Sequence, residues 1–404
     1  MKLERGNTGN RYFIMLCIMG SFAVLSSTMS KSPVLNPFAT SLGTPNDLLG
    51  FVAAASTIPG ILVSLPAASL SDIVGRRKIL LFSAFVFSSA PFFYIFVTTW
   101  WQLLLVRFYH GFATAIFIPV VETIIAERFP TSRGEHISLL NSAGGIGRAV
   151  APILGGFVLA LTSYSFDTLY LAVSIAGITV FVFALLLRGE NKPPTIEKGN
   201  ILKATKQIFQ GWQKVVSNRS AVLVSFIQAS QYYVFGAFEF FIVGYIIGVA
   251  RLDALFAGII LTAQVGTLIV ARPIFGVLSD KKGRRIPIIA GSILNGLLLL
   301  IVPLTVQFPL LLLIAVGYGL GFAMVVSSTS PLMSEISPTG LVGASMGFLC
   351  TSMDIGQTLG PVISGVILST AMQFTGLFVS LSLLLFISAI IFALQNRKNS
   401  KFQV

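Results

Sequence analysis

An all-α polytopic membrane protein, with twelve transmembrane helices in two six-helix bundles arranged as a parallel repeat, is predicted by three observations. Hydrophobic residues make up 55% of the 404 and charged residues only 10%, against about 25% charged in an ordinary soluble domain. The apolar residues fall into repeated stretches of roughly 20, the length needed to cross a hydrocarbon core. Several short motifs also recur once, at a nearly constant offset, in the second half of the chain.

The elements follow in order. Lys2, Arg5 and Arg11 precede an apolar run that starts at Tyr12 and continues to about Ser30. It imitates a signal peptide, but no small-x-small cleavage site follows a short core, so it reads as a first span over 12–32. Further spans are predicted at 48–70, 79–98, 101–125, 136–161 and 168–188. A second set follows at 219–248, 254–278, 286–306, 309–332, 341–369 and 373–396. Six spans return the chain to its starting side, giving bundles over 1–188 and 219–404 with a linker over 189–218.

The charges orient this layout. Arg76, Arg77 and Lys78, Arg128 and Arg133, the linker lysines, Lys281, Lys282, Arg284 and Arg285, and Arg397, Lys398 and Lys401 share one side with the N-terminus. Only Lys31, at the far end of span one, and Arg251 fall on the opposite side. Lysine and arginine in short loops favour the cytoplasm, so both termini are expected inside, in a cell (inner or plasma) membrane. The net charge of +13 is therefore a topology signal rather than a nucleic-acid footprint. In the linker, Pro193-Pro194 marks a loop. From Ile201 to Val216 apolar residues recur at helical spacing between lysines, the pattern of an amphipathic surface helix. Cys17 and Cys350 lie singly in apolar runs and suggest neither a disulfide framework nor a metal site.

The repeat is carried by three features. "LSDIVGRRK" contains Asp72, Gly75, Arg76 and Arg77, and "LSDKKGRR" contains Asp280, Gly283, Arg284 and Arg285, 208 residues on. Glu127 and Glu335 share that offset. Pro152 in "GRAVAPILGG" and Pro361 in "GQTLGPVISG" are 209 apart. An even number of spans per copy leaves both halves in one orientation. Asp at a helix end can meet a neighbouring helix N-terminus or an arginine, and glycine permits the tight turn.

These residues resemble the major facilitator superfamily, with its six-plus-six layout and G-x-L-S-D-x-x-G-R-R-K loop between spans two and three. Ala68 stands where the first glycine is usual, whereas Gly276 keeps it in the second copy. The resemblance implies that these loops latch the halves in one state, making Asp72, Gly75, Arg76, Arg77, Asp280, Gly283, Arg284 and Arg285 gating residues. The segments around Pro152 and Pro361 resemble the family's G-x-x-x-G-P-x-x-G-G motif of exporters exchanging drug for proton. Ala151 and Arg148 are departures in span five. Arg107 and Gly111 resemble the family's R-x-x-x-G pattern, linked there to proton coupling, with His110 where Gln is common.

Ionisable residues within spanning helices are expensive and by default functional. Arg107, Glu122, Glu239 and Asp354 are the candidates for proton coupling, since a coupled carrier needs a carboxylate whose protonation a low-dielectric site can tune. Arg148 falls near mid-membrane; with Gln228, Gln231, Tyr232 and Tyr233 of span seven it forms the candidate substrate-binding set. Burial in helix packing is the competing reading for each.

Span one has no acid between Arg11 and Ser30, unlike many drug exporters, and a central Arg148 suits an anionic or zwitterionic substrate. Three functions therefore remain open. The first is a secondary transporter, proton-coupled and exporting small amphiphilic compounds by alternating access. The second is proton-coupled uptake of an anionic nutrient, with Arg148 as a carboxylate clamp. The third is a transporter-like sensor that moves nothing. No Ser/His/Asp grouping, H-E-x-x-H or P-loop points to an enzyme. The expected partners are a small-molecule substrate, a proton or other ion gradient and the bilayer, with no cofactor, no nucleic acid and a monomeric working unit.

Overall fold

The structure, a computed structural model, describes residues 2–63, 71, 74–130, 132–187, 213–337 and 341–396. Asp72 and the linker from Arg188 to Trp212, including most of the expected surface helix, lie outside the described residues. Regular structure among the described residues is helical. That is what hydrocarbon demands of a single chain segment, because each helix satisfies its own backbone donors and acceptors.

The first six spans are Lys2–Met29, Asn46–Ala54 with its continuation to Val63, Arg76–Ile95, Trp100–Arg128, Arg133–Leu161 and Phe166–Leu186. A short helix, Leu35–Ser41, joins the first two. The second six are Arg219–Gly244, Ala254–Lys282, Arg285–Ile301, Phe308–Ile336, Val342–Leu368 and Gln373–Asn396. A π-helical turn, Tyr245–Val249, prolongs the seventh span. Eleven of these helices are long and apolar enough to cross a membrane. The eleventh span, Val342–Leu368, has 27 residues, but its serines, threonines, Gln357 and Asp354 dilute the apolar stretch.

Span two differs from the single helix expected over 48–70. It is broken by a turn at 55–57. Pro59 supplies the reason: it lacks the N–H that would bond back to Ala55, and its ring crowds that carbonyl. The helix restarts beyond the turn, where the Ile61 N–H donates to the Thr57 carbonyl at 3.3 Å.

The chain divides into two compact units, one of Met1–Thr44 with Ala55–Asn200 and one of Pro45–Ala54 with Ile201–Val404. Small residues set the helix pairs inside each. In the first unit, Gly147 of span five lies against the Ser21 carbonyl of span one, and Ser21 Oγ donates to the Ala143 carbonyl at 2.7 Å. Gly111 of span four faces the Ser56 carbonyl, and Gly177 of span six faces that of Phe87 in span three.

The second unit repeats two of these contacts residue for residue. Gly356 of span eleven lies against the Ala229 carbonyl of span seven, and Gly319 of span ten against that of Gln264 in span eight. Spans nine and twelve are tied by Ser382 Oγ donating to the Gly296 carbonyl at 2.7 Å. Gly50 packs on the backbone of Pro361, which is why Pro45–Ala54 groups with this unit. In lipid there is no hydrophobic drive between apolar helices, so close backbone approach over small residues carries much of the association.

One consequence is testable on purified protein. A Cβ at Gly360 would collide with the Tyr233 carbonyl, whereas one at Gly266 would meet nothing within 4 Å. Gly360→Val is expected to destabilise by about 1–3 kcal/mol, the usual cost of overpacking. Gly266→Ala should leave the thermal unfolding midpoint unchanged or slightly raised. Equal midpoints for the two variants would contradict this packing.

Candidate functional site

The described parts of the two arginine-bearing turns use equivalent residues in the same roles. Gly75 has φ +104° with open space around it, and Gly283 has φ +83°, so backbone conformation selects glycine at both turns. Arg76 then reaches across to span four. Its Nε donates to Glu127 Oε2 at 2.9 Å and its Nη2 to Oε1 at 2.7 Å, while Nη1 donates to Ser71 Oγ at 2.8 Å.

In the second copy, Arg284 Nε and Nη2 both donate to Glu335 Oε1, at 3.1 and 2.9 Å, and Nη1 donates to Ser279 Oγ at 2.7 Å. Arg284 also pairs with the Asp280 carboxylate. Desolvation works against the charged Arg284, but hydrogen bonds and charge from Glu335 and Asp280 outweigh it and raise its pKa.

The neighbouring arginines extend the pattern. Arg77 Nη2 donates to the Leu185 carbonyl at 3.4 Å and Arg285 Nη2 to the Ala393 carbonyl at 3.1 Å. These carbonyls lie near the C-terminal ends of spans six and twelve, where the helix dipole attracts cations. Each turn is thus clamped to the span two places ahead and the span four places ahead. Both arginines are mostly buried and both glutamates about half exposed. An isolated surface pair contributes little, but a guanidinium fixed at several points loses less entropy per bond. Glu127 and Glu335 served only as repeat markers in the sequence; their shared 208-residue offset was the signal that they partner the arginines.

Arg107 and Gly111 both meet Ser56 at the break in span two. Arg107 Nη2 donates to Ser56 Oγ at 2.5 Å, and Gly111 makes room for the Ser56 carbonyl. The R-x-x-x-G spacing therefore places a donor and a gap one helical turn apart on the same face. Arg107 and His110 are only 2% and 3% exposed. His110 Nδ1 lies 3.3 Å from the Tyr94 hydroxyl, and Tyr94 stacks on Tyr170 with ring centroids 4.2 Å apart. The repeat diverges here: 208 residues on, Ser56 is replaced by Gln264, Arg107 by Ala315 and His110 by Tyr318.

The remaining candidates are distributed between the units. In the first, Glu122 is half-buried beside Asn141, and Arg148 is exposed next to the buried Gly147. In the second, Glu239 is 8% exposed near Tyr318, and Asp354 is half-buried in span eleven. Gln228 Oε1 accepts from Thr329 Oγ1 at 2.6 Å, and Gln231 Nε2 donates to Ser292 Oγ at 2.9 Å. Both amides are thereby engaged in joining span seven to spans ten and nine. Tyr232 is half-buried with its ring edge-on to Phe322, centroids 5.2 Å apart, and Tyr233 is half-buried beside Ser364. Pro152 and Pro361 are buried inside their helices, each within the row of small residues that meets its partner span.

Comparison with known proteins follows the same outline. The family model described as Major Facilitator Superfamily matches residues 13–263 and 225–403. An uncharacterized MFS-type transporter of Methanocaldococcus jannaschii is 24% identical over 342 residues, covering 83% of this chain and 85% of that one. Multidrug resistance protein MdtG of Dickeya zeae is 28% identical over 185 residues, covering 44% and 45%. Among solved structures, the nucleoside transporter NupG superimposes with a TM-score of 0.81 at 14% identity, covering 95% of this chain and 99% of that one.

The clamps make a specific prediction. Lysine keeps the charge of Arg76 or Arg284 but cannot span a carboxylate and a serine hydroxyl together. Arg76→Lys and Arg284→Lys should each cost about 1 kcal/mol. In double-mutant cycles with Glu127→Gln and Glu335→Gln, most of that cost should appear as coupling within each pair. Additive effects in both cycles would show the pairs to be incidental.

Proposed function

The chain belongs to the major facilitator superfamily and is a transporter, and on that premise we propose that it exports small amphiphilic compounds in exchange for protons, by alternating access. The observation that carries this reading is the pair of glycine- and proline-bearing helices, spans five and eleven. Gly147 and Gly356 each bring the backbone of one partner span into direct contact. Such surfaces let helices slide with little side-chain interference, and proline provides a bend. The multidrug resistance relative supports the same direction of transport.

Asp354 is the carboxylate best suited to carry the coupling proton. It is half-buried on span eleven, one turn before Thr358, whose hydroxyl donates to its backbone carbonyl at 2.8 Å, and it lies two residues before Gly356. Glu239 and Glu122 are the alternatives. Tyr232 and Tyr233 offer aromatic surface with polar tips to an amphiphilic substrate. In this proposal the protein works as a monomer in the cell membrane, with both termini in the cytoplasm.

A second reading, proton-coupled uptake of an anionic metabolite, is favoured by one observation: Arg148 is exposed beside the buried Gly147. Everted vesicles separate the two. With an acid interior, vesicles containing the protein should accumulate an amphiphilic dye. Asp354→Asn should abolish gradient-driven accumulation while leaving dye exchange intact, and Arg148→Gln should have little effect. If no member of a broad dye and drug panel accumulates, and Arg148→Gln abolishes gradient-driven uptake of a small carboxylate in right-side-out vesicles, the uptake reading replaces export.

A further inference from the structure

We infer that the first unit carries a binding site for an anionic phosphate headgroup on its basic membrane face, formed by Arg77, Arg128 and the Tyr12 hydroxyl. Two of its three residues, Tyr12 and Arg128, are not repeated at the equivalent positions of the second half. It rests on the transporter lying in a bilayer with this face towards the cytoplasmic leaflet, and not on the direction of transport.

Three observations bring these residues together. The Arg128 guanidinium sits over the Tyr12 ring, 4.1 Å from its centroid, while the rest of Arg128 remains exposed. Stacking on a ring holds a guanidinium in a fixed plane without using its N–H donors. Arg77 and Arg128 both lie within electrostatic reach of the Tyr12 hydroxyl. Arg77 makes a long hydrogen bond, 3.4 Å to the Leu185 carbonyl, and its Nε is buried with no hydrogen-bond partner among the described residues.

Glu127, adjacent to Arg128 in sequence, is already engaged by Arg76 Nε and Nη2. Exposed Arg11 and Lys78 flank the cluster and add to its positive field. Two guanidinium groups and a phenol are hydrogen-bond donors suited to phosphate oxygens, and headgroup depth is where a lipid presents them.

The internal repeat provides the contrast that topology alone does not explain. Ser71, Arg76, Arg77 and Glu127 all recur 208 residues on, as Ser279, Arg284, Arg285 and Glu335. Tyr12 and Arg128 do not; Ser220 and Ile336 take their places. Sequence duplication preserved the clamp and not the stacked arginine. A positive-inside bias would have been served equally well by an unstacked lysine.

The test uses full-length protein in a neutral detergent, with thermal unfolding followed during titration with phosphatidylglycerol, phosphatidylcholine or inorganic phosphate. Phosphatidylglycerol should raise the midpoint and phosphatidylcholine should not. Arg128→Gln and Tyr12→Leu should each weaken the apparent phosphatidylglycerol affinity roughly fivefold, the loss expected for one basic contact near an anionic surface. Arg133→Gln removes the same charge from the same exposed loop without touching Tyr12 and should leave the affinity unchanged. An equal loss in Arg133→Gln, or an equal response to phosphatidylcholine, overturns the site. A phosphate response that matches phosphatidylglycerol and is lost in Arg128→Gln supports the site and makes its occupant a free phosphate. Should Tyr12→Leu not fold, the Arg128→Gln and Arg133→Gln pair decides the question alone.

Discussion

A guanidinium that must satisfy a serine hydroxyl and a glutamate at once fixes the position of the chain between the second and third spans of each half. Arg76 does this in the first unit and Arg284 in the second, each reaching a partner 51 residues further on. The positive φ of Gly75 and Gly283 turns the chain so that the following arginine faces the neighbouring helix ends. Once that geometry is set, the next arginine falls on a terminal helix carbonyl, 108 residues away in both copies. In each unit, separately, the arginine turn therefore ties together the ends of three neighbouring spans: three, four and six in the first, and nine, ten and twelve in the second.

Within the membrane the constraint is different. Apolar side chains gain nothing by leaving lipid for one another, so glycine-to-carbonyl approach carries the packing, and the same positions recur in both units. Against this duplicated frame, the differences stand out. Arg107 and His110 are buried around the broken second span; their equivalents, Ala315 and Tyr318, lie beside an unbroken eighth. A duplicated frame with unlike embedded polar groups gives the two halves the same packing and different buried chemistry.

The twelve spans and the repeat were legible in the sequence because hydropathy and short motifs are local signals, and lipid enforces both. The turn at 55–57 was less so: Pro59 marked it, but six other prolines, Pro91, Pro119, Pro152, Pro273, Pro331 and Pro361, sit inside helices that continue. At Pro59 the break coincides with the packing of Gly111 and Arg107 on Ser56, a long-range contact that a local sequence signal does not carry. Gln228 and Gln231 illustrate the opposite difficulty. Their polarity suggested a substrate surface; in the structure Gln228 Oε1 is bonded to Thr329 of span ten and Gln231 Nε2 to Ser292 of span nine. Sequence periodicity does not say which side of a fully apolar helix faces its neighbours.

The central claim is that the two clamps are one structural device present twice, and we propose that transport depends on both. Its most direct test is substrate flux in proteoliposomes for Glu127→Gln, Glu335→Gln and the double variant, each matched for folded protein. The account predicts that both single variants slow flux by similar factors and that the double variant is slower than either. Wild-type flux in the double variant would contradict it.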